Sequence, residues 1–201
     1  MSLSTRFKPQ RVLSCKAAMS FLQRTVVRAL LVTAALASAQ PTASETDLKA
    51  VYLLNFGKFV RLSGSAASSR PPTFNICVLG HDLIGHALDD VTAHESIDKR
   101  AVRVVRISDA YRATGCQVLY ISPDEGDGIP ADLAALGNAD ILTVSDAPDF
   151  LKDGGMIQFV TQQRHVRFAV NLNAVNRTHL VLSSELLRVA LSVTGKIPED
   201  Q

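Results

Sequence analysis

The chain has 201 residues, 47% of them hydrophobic, with 11 Gly and 8 Pro, which suffices for one domain with a sizeable core and no need for many staples. Its formal charge of +2 is unevenly spread, because the six cations Arg6, Lys8, Arg11, Lys16, Arg24 and Arg28 precede the first acid, Glu45. Without them 15 basic residues face 19 acidic ones, so the remainder is about −4 and carries no basic footprint for nucleic acid.

Those cations lead into Ala29 to Ala37, an almost wholly apolar run that ends in the small residues Ala37-Ser38-Ala39. A basic segment, a short apolar segment and a small-residue exit make a secretory signal peptide. The apolar run is about half of what crosses a bilayer core, which argues for a removed leader rather than an anchor. Residues 1–39 are therefore expected to be cleaved between Ala39 and Gln40, with Met19 a second candidate start, leaving 40–201 as the exported domain. Cys15 follows small residues but no apolar run, so it does not read as a lipidation site. That leaves Cys77 and Cys116, an even pair in a compartment where disulfides persist.

In the exported part, Ser44 with Asp47 three residues on forms an N-cap signature. Leu48, Val51, Tyr52, Leu54, Phe59 and Val60 then recur near helical spacing, predicting a helix over residues 45–61. The Ser-, Gly- and Pro-rich stretch Ser63 to Pro72 reads as a loop. Phe74 to Leu79 predicts a buried strand that Gly80 ends before a helix through Leu83, Ala87, Leu88 and Val91. Further strands follow at Val102–Ile107, Val118–Ile121 and Ile141–Val144, with a helix at Ala131–Leu136. This alternation predicts a single α/β, three-layer, Rossmann-like domain with a mostly parallel sheet. Met156–Val160 and Val166–Val170 are too close for a crossover, so an antiparallel hairpin is expected at the C-terminal edge of the sheet. A last helix is expected over Leu186–Val193, capped by Ser183 and stopped by Gly195.

Cys77 lies in the first of these strands and Cys116 just before the third. If those strands are neighbours the two thiols can bridge, and a disulfide between them is the expectation.

The search for chemistry yields little. Gly80-His81-Asp82-Leu83-Ile84-Gly85 occupies a strand-to-helix turn but lacks the Lys-Ser/Thr of a phosphate loop and the three-glycine dinucleotide spacing, so it reads as a tight turn. His86, Asp90 and His94 would share a face of a helix that ran so far. They are the metal candidates, but a fourth ligand is missing and Thr92 to Ser96 reads as leaving the helix, so no metal is expected. Ser145, Ser183 and Ser184 are hydroxyls near element ends, none in a nucleophile elbow. No catalytic group, enzyme activity or cofactor is expected. Ser145, Gly154 and Asn171 are candidate ligand-binding positions at the end of the sheet, where α/β folds bind small molecules. Asn55 and Lys58 interrupt the apolar stripe of the first helix and are candidate partner contacts.

Several motifs in order are more specific than any one alone: Leu48-Lys49-Ala50-Val51-Tyr52-Leu53-Leu54-Asn55-Phe56-Gly57-Lys58-Phe59-Val60, Cys77-Val78-Leu79-Gly80, Leu142-Thr143-Val144-Ser145-Asp146, Gly154-Gly155-Met156-Ile157, Arg167-Phe168-Ala169-Val170-Asn171 and Leu182-Ser183-Ser184-Glu185-Leu186-Leu187. Together they resemble the YfiR-like family of small periplasmic proteins, over roughly Thr46 to Leu191. The resemblance implies a periplasmic repressor that binds the periplasmic sensor region of an inner-membrane GGDEF diguanylate cyclase, lowering cyclic-di-GMP and biofilm formation. It also implies an outer-membrane lipoprotein that sequesters the repressor, and it leaves a homodimer open. Cys77 and Cys116 match the family's strand-bridging disulfide. The second cysteine pair of its best-known members is missing from Leu151 to Gln158. The alternative reading is a periplasmic small-ligand sensor.

Overall fold

The computed structural model of the protein describes residues 43–63 and 71–196. The expected leader and its cleavage point at Ala39 and Gln40 lie outside the described residues.

Helix α1 spans Glu45–Phe59. It starts where the cap signature places it: Asp47 N–H donates to Ser44 Oγ at 3.1 Å while Ser44 N–H donates to the Asp47 carboxylate at 3.0 Å. It ends two residues before the expected 61, because Val60 turns extended and opens strand β1, Val60–Leu62. Its inner face buries Ala50, Leu53, Leu54, Phe56 and Gly57. Gly57 is required by closeness: a Cβ there would lie 2.8 Å from the Phe74 ring.

The remaining elements follow in order as β2 (Phe74–Leu79), α2 (His86–Thr92), β3 (Ser96–Ile97), β4 (Arg100–Ile107), β5 (Val118–Ile121), α3 (Ile129–Leu136), β6 (Leu142–Ser145), β7 (Ile157–Gln162), β8 (His165–Asn171), α4 (Leu172–Val175), β9 (Leu180–Leu182), α5 (Ser184–Val189) and β10 (Ser192–Thr194). A single 3₁₀ turn stands at Ala110–Ala113, and two short turns meet across a kink at Gly126 within Pro123–Gly128. Eight strands form one sheet in the order β10-β8-β7-β6-β5-β2-β4-β3, and β1 pairs antiparallel with β9 in a separate ribbon. Strands β4, β2, β5, β6 and β7 run parallel, β8 returns antiparallel to β7, and β10 lies parallel to β8. The mostly parallel α/β sheet is thus as expected.

The hairpin β7–β8 is present but is not the edge. The residues expected to complete one helix over Leu186–Val193 split: α5 stops at Val189, Ala190 turns extended, and β10 adds the edge strand. β-Branched Val193 and Thr194 favour the strand, and Leu191 N–H donates to Phe168 O at 2.7 Å to start it. The helix expected through Leu83 begins only at His86, since Asp82 first turns the chain by accepting from Ile84 and Gly85 N–H.

Two cores flank the sheet and make three layers. On one face α1, α2 and α5 cover Ile76, Val78, Val118, Tyr120, Leu142 and Val144. On the other, Ala110, Ala113, Ile129 and Phe150 cover Cys77, Leu79, Leu119 and Ile121. The first core centres on rings: Phe56 meets Phe168 edge-on at 5.0 Å and stacks on Phe159 at 5.8 Å, with Tyr52 beside all three. Fully burying each such side chain contributes about 1.5–3 kcal/mol, which fixes α1 on the sheet.

Candidate functional site

Strand order reverses between β2 and β5, the point where open α/β sheets bind ligands beyond the strand ends. Here the carboxylate of Glu125 lies over Gly80, in the space a Cβ would take, and His81 Nδ1 stands 3.4 Å from Asp124. Arg106 also reaches this turn, but its guanidinium is held by Asp82 at 2.7 Å and Asp89 at 2.6 Å, and with Asp124 and Glu125 beside it the turn repels phosphate, so the tight-turn reading of Gly80 to Gly85 stands.

The most built polar cluster joins α1 to the ends of β5 and β6. Lys49 Nζ sits 2.7 Å from Glu45 Oε1 and 2.6 Å from Asp146 Oδ2, while the Tyr120 hydroxyl donates to Asp146 Oδ1 at 2.6 Å. Thr161 Oγ1 donates to Glu45 at 3.1 Å, bringing in β7. Burial pulls the Lys49 ammonium down, but hydrogen bonds and charge from Asp146 and Glu45 outweigh it and hold it above the usual lysine range. Burial first, then the hydrogen bond to Asp146, pushes the Tyr120 phenol far up, so it acts as a fixed donor. The Lys49 hydrogen bond holds Glu45 below its ordinary value. This is an ion-paired clamp with every charge answered, and it offers no base or nucleophile to a substrate. Residue-by-residue reading missed it because its partners are 97 positions apart.

Of the candidate ligand positions, Gly154 lines a cleft. Ser145 is fully buried, its Oγ accepting from Ala147 N–H at 3.0 Å. Asn171 Nδ2 donates to Leu151 O at 3.0 Å and Gly155 O at 3.2 Å, and its Oδ1 caps α4 at Ala174. Both side chains are spent on holding the chain, and neither joins Gly154 in a shared pocket. Gly154, at φ +104°, lines a cleft of about 290 Å³ between α3, the start of β6 and the segment after α4. Leu133, Ile141 and Met156 form its apolar wall, and Asp153, Asn138 and Arg177 its polar rim. Among the described residues the Arg177 guanidinium has no carboxylate partner; it lies 3.6 Å from where a Gly154 Cβ would be.

Asn55 is half-buried on α1, and Lys58 pairs with Glu95 at 2.9 Å, a contact that ties the end of α1 to the segment before β3. Helix α2 ends at Thr92, so His94 leaves the face shared by His86 and Asp90. Among the described residues no group of three or more His, Cys, Asp or Glu is placed to hold a metal ion. Cys77 and Cys116 are bridged, with their Cα atoms 5.8 Å apart, because Cys77 is on β2 and Cys116 leads into its neighbour β5.

The motifs that carried the resemblance meet in space. Lys49 of the first clamps Asp146 of the third, Met156 N–H donates to Thr143 Oγ1 at 3.1 Å, and Asn171 holds Gly155. They are the joints of one fold. No curated protein matches the chain. The YfiR/HmsC-like family profile matches residues 46–191, nearly everything described, and the chain belongs to the YfiR/HmsC-like family.

Proposed function

We propose that this protein is a periplasmic regulatory binding protein that represses an inner-membrane GGDEF diguanylate cyclase by engaging its periplasmic sensor region, lowering cyclic-di-GMP and biofilm formation. The family match over residues 46–191 carries the reading, since the family is a regulatory one known for periplasmic control of such cyclases. The Cys77–Cys116 bridge agrees with an oxidising compartment. Titratable clusters that pair internally, rather than facing a cleft, suit a protein that acts by contact. In this reading residues 1–39 direct export, and an outer-membrane lipoprotein relieves repression by sequestering the protein. Deleting the gene then raises cellular cyclic-di-GMP, and the purified protein captures the cyclase's periplasmic region from detergent-solubilised membranes. An unchanged cyclic-di-GMP level contradicts the reading.

The cleft beside Gly154 supports a second reading, a small-ligand sensor, through its apolar wall and the guanidinium of Arg177, which has no carboxylate partner among the described residues. Thermal-shift screening with small carboxylates tests it: a shift lost in Arg177→Ala supports it, and a flat response removes it.

A further inference from the structure

Positive charge gathers on strand β4. Residues 99–106 hold four cations, Lys99, Arg100, Arg103 and Arg106, and no acid, although beyond the leader 15 basic residues face 19 acidic ones. Arg106 is answered by Asp82 and Asp89, and Arg100 by Asp98. Lys99 and Arg103 are exposed and, among the described residues, have no carboxylate partner. Val105, 37% exposed, shares the Arg103 face of the strand.

Strand β4 closes the sheet on this side, except where β3 pairs with Arg100 and Ala101. Gly80 N–H donates to Ile107 O at 3.3 Å, so the odd-numbered residues of β4 turn their backbone groups toward β2. Val102 N–H donates to Glu95 O at 3.0 Å on the opposite side, so the even-numbered ones turn outward. Past that bond, the N–H and C=O of Val104 and Arg106 have no partner among the described residues, and they alternate with the exposed side chains of Arg103 and Val105.

We propose that the β4 edge receives an acidic extended segment of a partner protein as an added strand, which pairs with the outward backbone groups of Val104 and Arg106 and sets a carboxylate against Arg103. Strand addition supplies main-chain hydrogen bonds, and the side chains opposite supply selectivity. A row of cations ordinarily guards an edge by repelling strands like itself. A second copy of β4 would set arginine beside arginine, and an apolar strand would leave Arg103 with no counter-charge. An acidic strand turns the same cations into attraction, with opposite charges directly across the ladder. The guard against indiscriminate pairing thereby becomes the selector of one kind of partner. Only two residues offer outward groups, so a short segment binds weakly and exchanges quickly.

Hydrogen exchange at the Val104 and Arg106 amides is the test, with Val102 as internal reference, while the exported domain is titrated with a short peptide of alternating Glu and Thr or with its Lys counterpart. The Glu peptide is expected to slow both amides by roughly tenfold at about ten times its Kd and to leave Val102 unchanged. The Lys peptide slows neither. Arg103→Glu rejects the Glu peptide and shifts the preference toward the Lys one. Val104→Pro loses both by removing one outward N–H while changing no charge. Arg164→Glu, in the β7–β8 turn, alters nothing. Unchanged exchange at both amides up to the solubility of the Glu peptide overturns the proposal, as does binding of that peptide with those amides exchanging freely, which is attraction of charge alone. Should the proline variant lose its circular-dichroism signature, the Arg103→Glu reversal and the wild-type exchange decide. Failure here leaves the proposed repression untouched, since neither rests on the other.

Discussion

At the scale of single residues, the side chains with the most conspicuous chemistry serve the fold. Lys49 is only 12% exposed, so Asp146→Ala strands a cation with Glu45 alone and frees the Tyr120 hydroxyl from its acceptor. A loss of about 1–3 kcal/mol is expected, the cost of leaving a part-buried group without one of its partners, read as a lower urea midpoint. Lys49→Met, Tyr120→Phe and Asp146→Leu together should lose much less, because apolar groups then replace the cation, the hydroxyl and the carboxylate at once. Asp132 works the other way. Burial first, then Glu125 and Asp109, raises its folded value above 3.8, so its ionised form is disfavoured in the folded state. The penalty is absent below 3.8, where both states are protonated, and complete once pH exceeds the raised value. Asp132→Asn is therefore expected to raise Tm at pH 7 and to have no effect near pH 3, a difference thermal melts at the two pH values will show. Ser145 and Asn171 sit in sequence where a binding site would be expected, but a residue type at a strand end does not reveal whether its hydrogen bonds are already used.

At the scale of elements, the strands that the sequence predicts best are those buried on the sheet: Phe74–Leu79 and Val118–Ile121 match to the residue because their β-branched runs end at clear breakers. The capping box made the start of α1 readable for the same local reason. What escaped notice is short. The β1–β9 ribbon and β10 have three residues apiece, too few for alternation to register, and are specified by their neighbours. The two hairpin turns are equally silent. Asp98-Lys99 and Gln163-Arg164 all have positive φ, the type I′ pattern, without the Asn-Gly that usually announces it. Each left-handed non-glycine residue costs roughly 1–2 kcal/mol, partly offset by the entropy a glycine adds to the unfolded chain. Replacing Gln163-Arg164 by Asn-Gly is expected to stabilise by about 1 kcal/mol, measured as a higher urea midpoint with unchanged slope.

At the scale of the whole molecule, the family motifs are joints between distant segments and the disulfide is a staple between the two central strands. The bridge closes a loop of 39 residues, worth about 4 kcal/mol in the chain-entropy model. Reduction, or Cys77→Ser with Cys116→Ser, should lower unfolding free energy by that order, leaving a domain that folds poorly in a reducing compartment. In the proposed function stability and address are thereby linked, because the bridge persists only in an oxidising compartment such as the one where repression is proposed to act. The measurement that tests this most directly is cellular cyclic-di-GMP in a strain lacking the gene. The account predicts a rise that the full chain reverses and a chain lacking residues 1–39 does not; an unchanged level, or rescue without the leader, would contradict it.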